Sequence, residues 1–223
     1  MRPLTRGPAV LALVALVSFA LAPPALAATP RLTLYGMSMV PSDKEARDYA
    51  NPGWGGGLDA SCPLGGTEGL LSVIGGIEFA SLYSSTKTFH DGTTGLRVDQ
   101  HTDQMYGRFF LGGELGPHGN GTIQPYGNVA LALVLYGIST DVTIPDDGNL
   151  ENSINQHLSD HNEAAFGWSA GAGLNLNFGR WGIDGGLRFL KQYGVPQQLG
   201  AGAVSIQPSY FQFRLGVSIP MRK

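Results

Sequence analysis

The side chains able to do chemistry are few: five histidines, one cysteine, and 17 carboxylates against 14 basic residues in 223 positions. The densest group lies between 140 and 163. His157 and His161 stand four apart there, a spacing that on a short helix puts both on one face, with Asp160 and Glu163 nearby to share a divalent cation. Asp141, Asp146, Asp147 and Glu151 add oxygen ligands of the kind Ca²⁺ takes, but Asp146-Asp147-Gly148-Asn149 is too short for an EF-hand loop. The histidine pair also lacks the HExxH glutamate. A solvated acidic loop, with no metal, is the plainer expectation. Acyl transfer needs Ser, His and an acid to converge. His101 with Ser84 and Ser85 offers the parts, yet no spacing selects a triad and no GxSxG, P-loop or dinucleotide fingerprint occurs. No catalytic residue and no cofactor are expected. A lone Cys62 excludes an internal disulfide and a CxxC metal site.

Seven other charges sit in a different context, inside segments of strict two-residue alternation separated by Gly, Pro, Asn and Asp, which reads as strands. From Ile123 onward, one face carries Ile123, Pro125, Gly127, Val129, Leu131, Leu133 and Leu135, and the other Gln124, Tyr126, Asn128, Ala130, Ala132, Val134 and Tyr136. Segments 164–178 and 210–219 repeat the pattern. Eight strands are predicted, near 31–41, 53–64, 70–86, 102–116, 122–139, 164–178, 181–193 and 207–221. The connections after strands 2, 4 and 6 are short. The others are longer, placing loops 42–52, 87–101, 140–163 and 194–206 at one end, as in an up-and-down membrane barrel. Both chain ends then fall on the short-turn side.

Composition decides which face meets what. The face opposite the large apolar residues is Gly, Ser, Asn and Ala, suited to a crowded lumen rather than to open water. Gly is 33 of 223 residues, and charged residues are only 14%, against about 25% in ordinary domains. An eight-stranded barrel has an interior just wide enough for side chains to fill. Small residues inward and large apolar ones toward lipid fit that geometry, and closure satisfies the backbone groups that lipid would leave bare. A soluble β-protein is the competing architecture. Phe178 and Trp181 beside a short turn, and Trp54, Tyr83, Tyr136, Phe166, Trp168 and Phe211 toward the loop end, are candidates for interfacial girdles. A pI near 5.9 and four lysines argue against nucleic-acid binding.

The chain opens with Arg2 and Arg6, an apolar run over 9–22, and Ala25-Leu26-Ala27, the form of a secretory leader. Residues 1–27 are read as that leader and 28–223 as one barrel domain, whose formal charge moves from -3 to -5 once the two arginines are gone.

The alternation places Asp59, Glu78, Arg108, Glu114, Asp184, Arg188 and Arg214 on the inward face. Glu78 and Arg108 fall at one height on adjacent strands 3 and 4. Arg188 and Arg214 fall side by side on strands 7 and 8, so Asp59 or Glu78 is expected to reach across to them. A buried charge persists only when paired. Two readings follow: a polar core that fills the barrel, which is the simpler, or a plug that gates passage.

The mature chain resembles the small outer-membrane β-barrels of Gram-negative bacteria, the porin-like OmpA/OmpX-type class. Its last strand, Arg214-Leu215-Gly216-Val217-Ser218-Ile219-Pro220-Met221, is similar to the polar-x-Gly-x-x-hydrophobic-x-hydrophobic signal read by the outer-membrane assembly machinery. Arg214, Gly216, Ile219 and Met221 hold the matching positions, while the chain ends in Pro220-Met221-Arg222-Lys223 rather than in an aromatic residue. The resemblance implies an eight-stranded antiparallel transmembrane barrel in the outer membrane, in contact with its lipids and expected as a monomer. Three functions stay open: an anchor presenting loops for surface interaction, a narrow channel lined by Arg108, Arg188 and Arg214, and a lipid-modifying enzyme.

Overall fold

The computed structural model describes residues 30–49, 51–64, 69–90, 97–118, 121–144, 154–199 and 202–221. The leader, residues 1–27, lies outside them, as do Asp146, Asp147 and Glu151. Eight strands close into an antiparallel barrel: β1 (Arg31–Pro41), β2 (Gly53–Pro63), β3 (Leu71–His90), β4 (Arg97–Leu115), β5 (Ile123–Ile144), β6 (Ile154–Asn177), β7 (Gly182–Tyr193) and β10 (Ser209–Pro220). Neighbours run in chain order, and β1 pairs with both β2 and β10 to seal the cylinder. The Met221 amide donates to the Pro30 carbonyl at 2.7 Å, so both ends of the described chain meet at the short-turn end.

Side chains alternate as a barrel wall requires. On β1, Arg31, Thr33, Tyr35, Met37 and Met39 are buried, while Leu34 and Val40 are exposed. On β5 the even-numbered residues from Gln124 to Tyr136 are buried, and Ile123, Val129, Leu131 and Leu135 are exposed. Trp54, Phe166, Trp168, Phe178, Trp181 and Phe211 lie on the exterior as expected of girdle residues. Tyr136 does not: it is 4% exposed, facing inward with the other even-numbered residues of β5.

The wall is uneven. β1, β2, β7 and β10 have 11 or 12 residues, little more than the ~9–11 that a tilted strand needs to cross a bilayer. β3, β4, β5 and β6 have 20, 19, 22 and 24. The surplus of roughly ten residues each adds about 30 Å of strand at ~3.3 Å per residue, raised beyond the rim as a four-stranded sheet. β3 leaves β2 after the Trp54–Ser81 pair, at a bulge between Ser81 and Tyr83. β6 leaves β7 after Phe166–Tyr193.

The described parts of segments 87–101 and 140–163 are therefore strand rather than loop. Outside lipid both sheet faces are wet, so nothing there enforces the apolar alternation by which the lower strands are recognised. His157 and His161 lie on β6, not on a helix, and the pairing shift between Thr140 and Asp141 falls between their partners. The other two loops also carry structure. α1 (Lys44–Tyr49) follows β1, and a hairpin of β8 (Val195–Leu199) and β9 (Gly202–Ile206) joins β7 to β10.

Candidate functional site

The lumen holds all eight charged side chains that are buried among the described residues, four carboxylates and four guanidinium groups. They sort into three tiers. Nearest the raised sheet, Glu78 and Arg108 are direct cross-strand partners. Glu78 Oε2 accepts from Arg108 Nη1 at 2.8 Å, and Oε1 accepts from Arg188 Nη1 at 2.7 Å. β3 and β7 lie four strands apart in the ring of eight, so the Glu78–Arg188 bond crosses the barrel diameter. Arg108 also donates to Ser169 Oγ at 2.6 Å, and the Phe110 ring lies 4.6 Å from the Arg108 guanidinium and 4.9 Å from that of Arg188.

In the middle tier Arg214 serves two acids. Nη1 donates to Asp59 Oδ2 at 2.6 Å, and Nε and Nη2 donate to Asp184 Oδ1 at 3.0 and 2.7 Å. Arg188 and Arg214 are not side by side: Arg188 faces Gln212 across the β7–β10 ladder, whereas Arg214 faces Gly186. Stagger between strands separates the two cations, so each draws its own carboxylate, Glu78 for Arg188 and Asp59 with Asp184 for Arg214.

Two tyrosines lock these tiers in place. Tyr35 donates to Glu78 Oε1 at 2.7 Å, and its ring lies 4.2 Å beneath the Arg214 guanidinium. It can lie there only because Gly57 and Gly216 have no side chains: a Cβ on Gly57 would come within 2.7 Å of the ring, and one on Gly216 would strike Tyr35 and the Leu34 carbonyl. Tyr126 repeats the device over Gly173 and Gly186, donating to Asp184 Oδ1 at 3.1 Å. Alternation marks these residues as inward but gives no sign of such pairing across strands.

The third tier closes the short-turn end. Glu114 Oε1 accepts from Arg31 Nη2 at 2.7 Å and from Ser61 Oγ at 3.0 Å. His118, from the β4–β5 turn, folds into the mouth until its side chain is 4% exposed. Its Nε2 lies 3.0 Å from Glu114 Oε1, Ser61 Oγ and Ser72 Oγ, and its Nδ1 lies 2.8 Å from the Gly116 carbonyl. Sequence reasoning missed both Arg31 and His118. Arg31 begins a strand whose alternation places it inward, which was a usable signal. A turn residue that doubles back has no period to betray it.

Hydroxyl, imidazole and carboxylate thus converge twice. At the short-turn end Ser61 and Glu114 address the same ring nitrogen, whereas a relay needs opposite ones. On the raised sheet, Thr86 Oγ1 lies 2.9 Å from His101 Nδ1, and Asp103 Oδ2 lies 2.9 Å from Nε2. Thr86 and His101 are ladder partners, and the next such pair, Thr88 and Asp99, is bonded likewise at 2.6 Å. A repeated cross-strand bond of this kind supports a sheet. Ser84 and Ser85 pair in register with Asp103 and Thr102.

At the rim beneath the raised sheet, Asp43 caps α1 by accepting from the Ala46 amide at 2.8 Å, and Lys191 reaches it at 3.4 Å. Ala46 is fully buried against the apolar upper lumen with Met39, Leu82, Leu190 and Tyr210. Partial burial raises the Asp43 carboxyl, but hydrogen bonds with the Ser209 side chain, the Ala46 amide and the Ser209 backbone, with the Lys191 ammonium nearby, outweigh it and hold it below its usual range.

The closed ring, the alternating faces and the charge-filled lumen define a transmembrane β-barrel of the small outer-membrane type. No family model and no curated protein matches the sequence. Among solved structures, Neisserial surface protein A is 11% identical, with a TM-score of 0.50 over 86% of this chain and 96% of that one. A major outer membrane protein from Thermus thermophilus is 13% identical, with a TM-score of 0.48 over 85% of this chain and 98% of that one. The attachment invasion locus protein of Yersinia pestis is 13% identical, with a TM-score of 0.39 over 86% and 97%. The likeness to the Neisserial protein extends to the fold and no further.

Proposed function

We propose that the protein is an outer-membrane anchor for a surface-exposed sheet: the barrel is a sealed support, and β3–β6 carry the part that meets the exterior. The observation that carries this reading is the lumen, where four acids and four bases are buried in mutual contact and the Glu78–Arg188 bond spans the diameter. Each guanidinium is held by at least one carboxylate at 2.6–2.8 Å, which favours the filled core over the gate. No catalytic step is assigned. Membrane lipids are the partners of the apolar exterior. In the last strand, Ile219 and Met221 are exposed for the assembly machinery to read, while Arg214 and Gly216 also serve the lumen.

The test joins conductance to topology. The purified protein in a planar bilayer is expected to give no steady current. In a Gram-negative host, a Thr88→Cys variant is expected to react with a membrane-impermeant maleimide on intact cells, because Thr88 is exposed on the raised sheet. A steady single-channel current would select the channel reading instead. Labelling seen only after cell lysis would place the raised sheet on the wrong side of the membrane.

A further inference from the structure

Two side chains of the upper lumen hold polar atoms that bond to nothing among the described residues, the Tyr106 hydroxyl and the Gln192 Nε2. Both residues are 1% exposed, and both adjoin Tyr136. The Tyr106 and Tyr136 rings meet edge to face with centroids 5.7 Å apart, and the Tyr136 hydroxyl donates to Gln192 Oε1. A buried polar atom without a partner costs free energy and is rare in a folded protein. Two of them beside one tyrosine mark a place where something else binds. Each can give a proton: the amide nitrogen is a donor only, and the hydroxyl can donate or accept. The wall around them is apolar, with Met39, Leu82 and Leu190 buried in one cluster with Ala46 of α1 and Ile206 of β9.

The charges below set the sign of a suitable ligand. On the same inward faces, Arg108 lies two residues below Tyr106 and Arg188 four below Gln192, and the two guanidinium groups share the single carboxylate of Glu78. The balancing excess of acid, Asp59 with Asp184 on Arg214, lies in the tier beneath. The lumen charges are thus balanced in sum but stacked so that positive charge faces the upper lumen, where a low local dielectric strengthens it. Glu163 pairs in register with Tyr136, two residues nearer the exterior than Ala165, and is only half-buried there, so water at the rim screens its repulsion. We propose that the upper lumen binds a small amphiphile with one carboxylate, of the medium-chain fatty acid class. Its head accepts from the Tyr106 hydroxyl and the Gln192 amide, and its chain lies among Met39, Leu82 and Leu190 under α1. Apolar walls with a few convergent polar groups are the usual make of a small-molecule site. The ion pairs beneath form its floor, so the ligand enters from the raised-sheet end and needs no passage through the barrel.

Nuclear magnetic resonance of the Gln192 side-chain amide, in the full isotope-labelled barrel held in phosphocholine nanodiscs, tests this. Sodium decanoate should shift the signal saturably. Decyltrimethylammonium, which enters the same bilayer with the opposite charge, and decanol, which enters it with none, should leave it in place at the same concentrations. Tyr106→Phe removes a hydroxyl that bonds to no described residue, so without ligand the variant should be no less stable to urea than the wild type. Its affinity for decanoate should nevertheless fall about ten- to hundredfold, the loss of one hydrogen bond to a charged group. A hydroxyl with only a structural role would do the reverse, lowering stability and leaving the decanoate response unchanged, and that result would overturn the proposal. A signal that moves with none of the three probes would leave the two donors to water and overturn the site, and an equal response to all three would overturn the assignment of a carboxylate.

Discussion

Glu78 is the single acceptor for two guanidinium groups and one phenol, so removing its charge strands Arg108 and Arg188 together. Breaking a buried pair costs about 3–5 kcal/mol, because the surviving charge keeps its desolvation penalty. Glu78→Gln should therefore lower the unfolding free energy of the barrel, obtained from urea titration, by an amount in that range. Tyr35→Phe removes one hydrogen bond to the same carboxylate but leaves the ring under Arg214, so a smaller loss of about 1.5–3 kcal/mol is expected. The order of the two is the informative result: a Tyr35→Phe variant less stable than Glu78→Gln would mean that ring packing, not the ion pairs, holds the tier. The inward position of Glu78 was readable from alternation, and so was its ladder pairing with Arg108. Its reach across to Arg188 was open between two candidates, because the height of a residue on its own strand does not give the stagger between strands.

At the scale of elements, the eight strands were legible where lipid requires them and blurred where it does not. Residues 123–135 alternate because one face meets hydrocarbon and the other a packed lumen. Residues 140–143 of the same strand, Thr-Asp-Val-Thr, are β-prone but follow no such contrast, so they read as loop. α1 was hidden for a related reason: six residues make too short a window for a helical period, and the helix depends on its cap and on burying Ala46. That cap sets a pH dependence of its own. The Asp43 carboxyl is held below its ordinary 3.8, so its contribution is fully present above that value and is lost as pH falls through the lower folded-state value. Amide exchange in α1 should be flat from neutrality to about pH 5 and should quicken only below about pH 4, after correction for intrinsic rates. Because the Asp43 side chain is 32% exposed, solvent screening keeps the effect small, and Asp43→Asn should abolish it. Loosening of α1 already under way near neutrality would contradict this assignment.

Taken as one body, the molecule separates charge from lipid. Along the outward positions of the spanning strands, among the described residues, the one ionisable base is Lys191 at the rim, tied to Asp43 and to the Gln207 carbonyl at 2.5 Å. An arginine or lysine at mid-bilayer on this surface would cost about 2–4 kcal/mol, which accounts for a low overall charge fraction in a chain that still buries eight ionised groups. The same partition fixes an accessibility profile along β5, the strand that runs from the short-turn end into the raised sheet. Spin labels at Ile123, Val129, Leu131 and Leu135 in a lipid bilayer should be relaxed by dissolved oxygen, most strongly near the middle of an apolar band about 25 Å tall. Labels at Ser139, Asp141 and Thr143 should respond instead to a water-soluble nickel chelate, with the crossover near Gly137, where β5 faces Met105 of β4. Leu174 and Leu215, exposed on β6 and β10, should behave as Leu131 does. Chelate access at Leu131, Leu174 and Leu215 together would put the apolar face in water and make the closed ring a soluble barrel. A crossover displaced beyond Thr143 would instead submerge the raised sheet in lipid, and β3–β6 could then present nothing to the exterior.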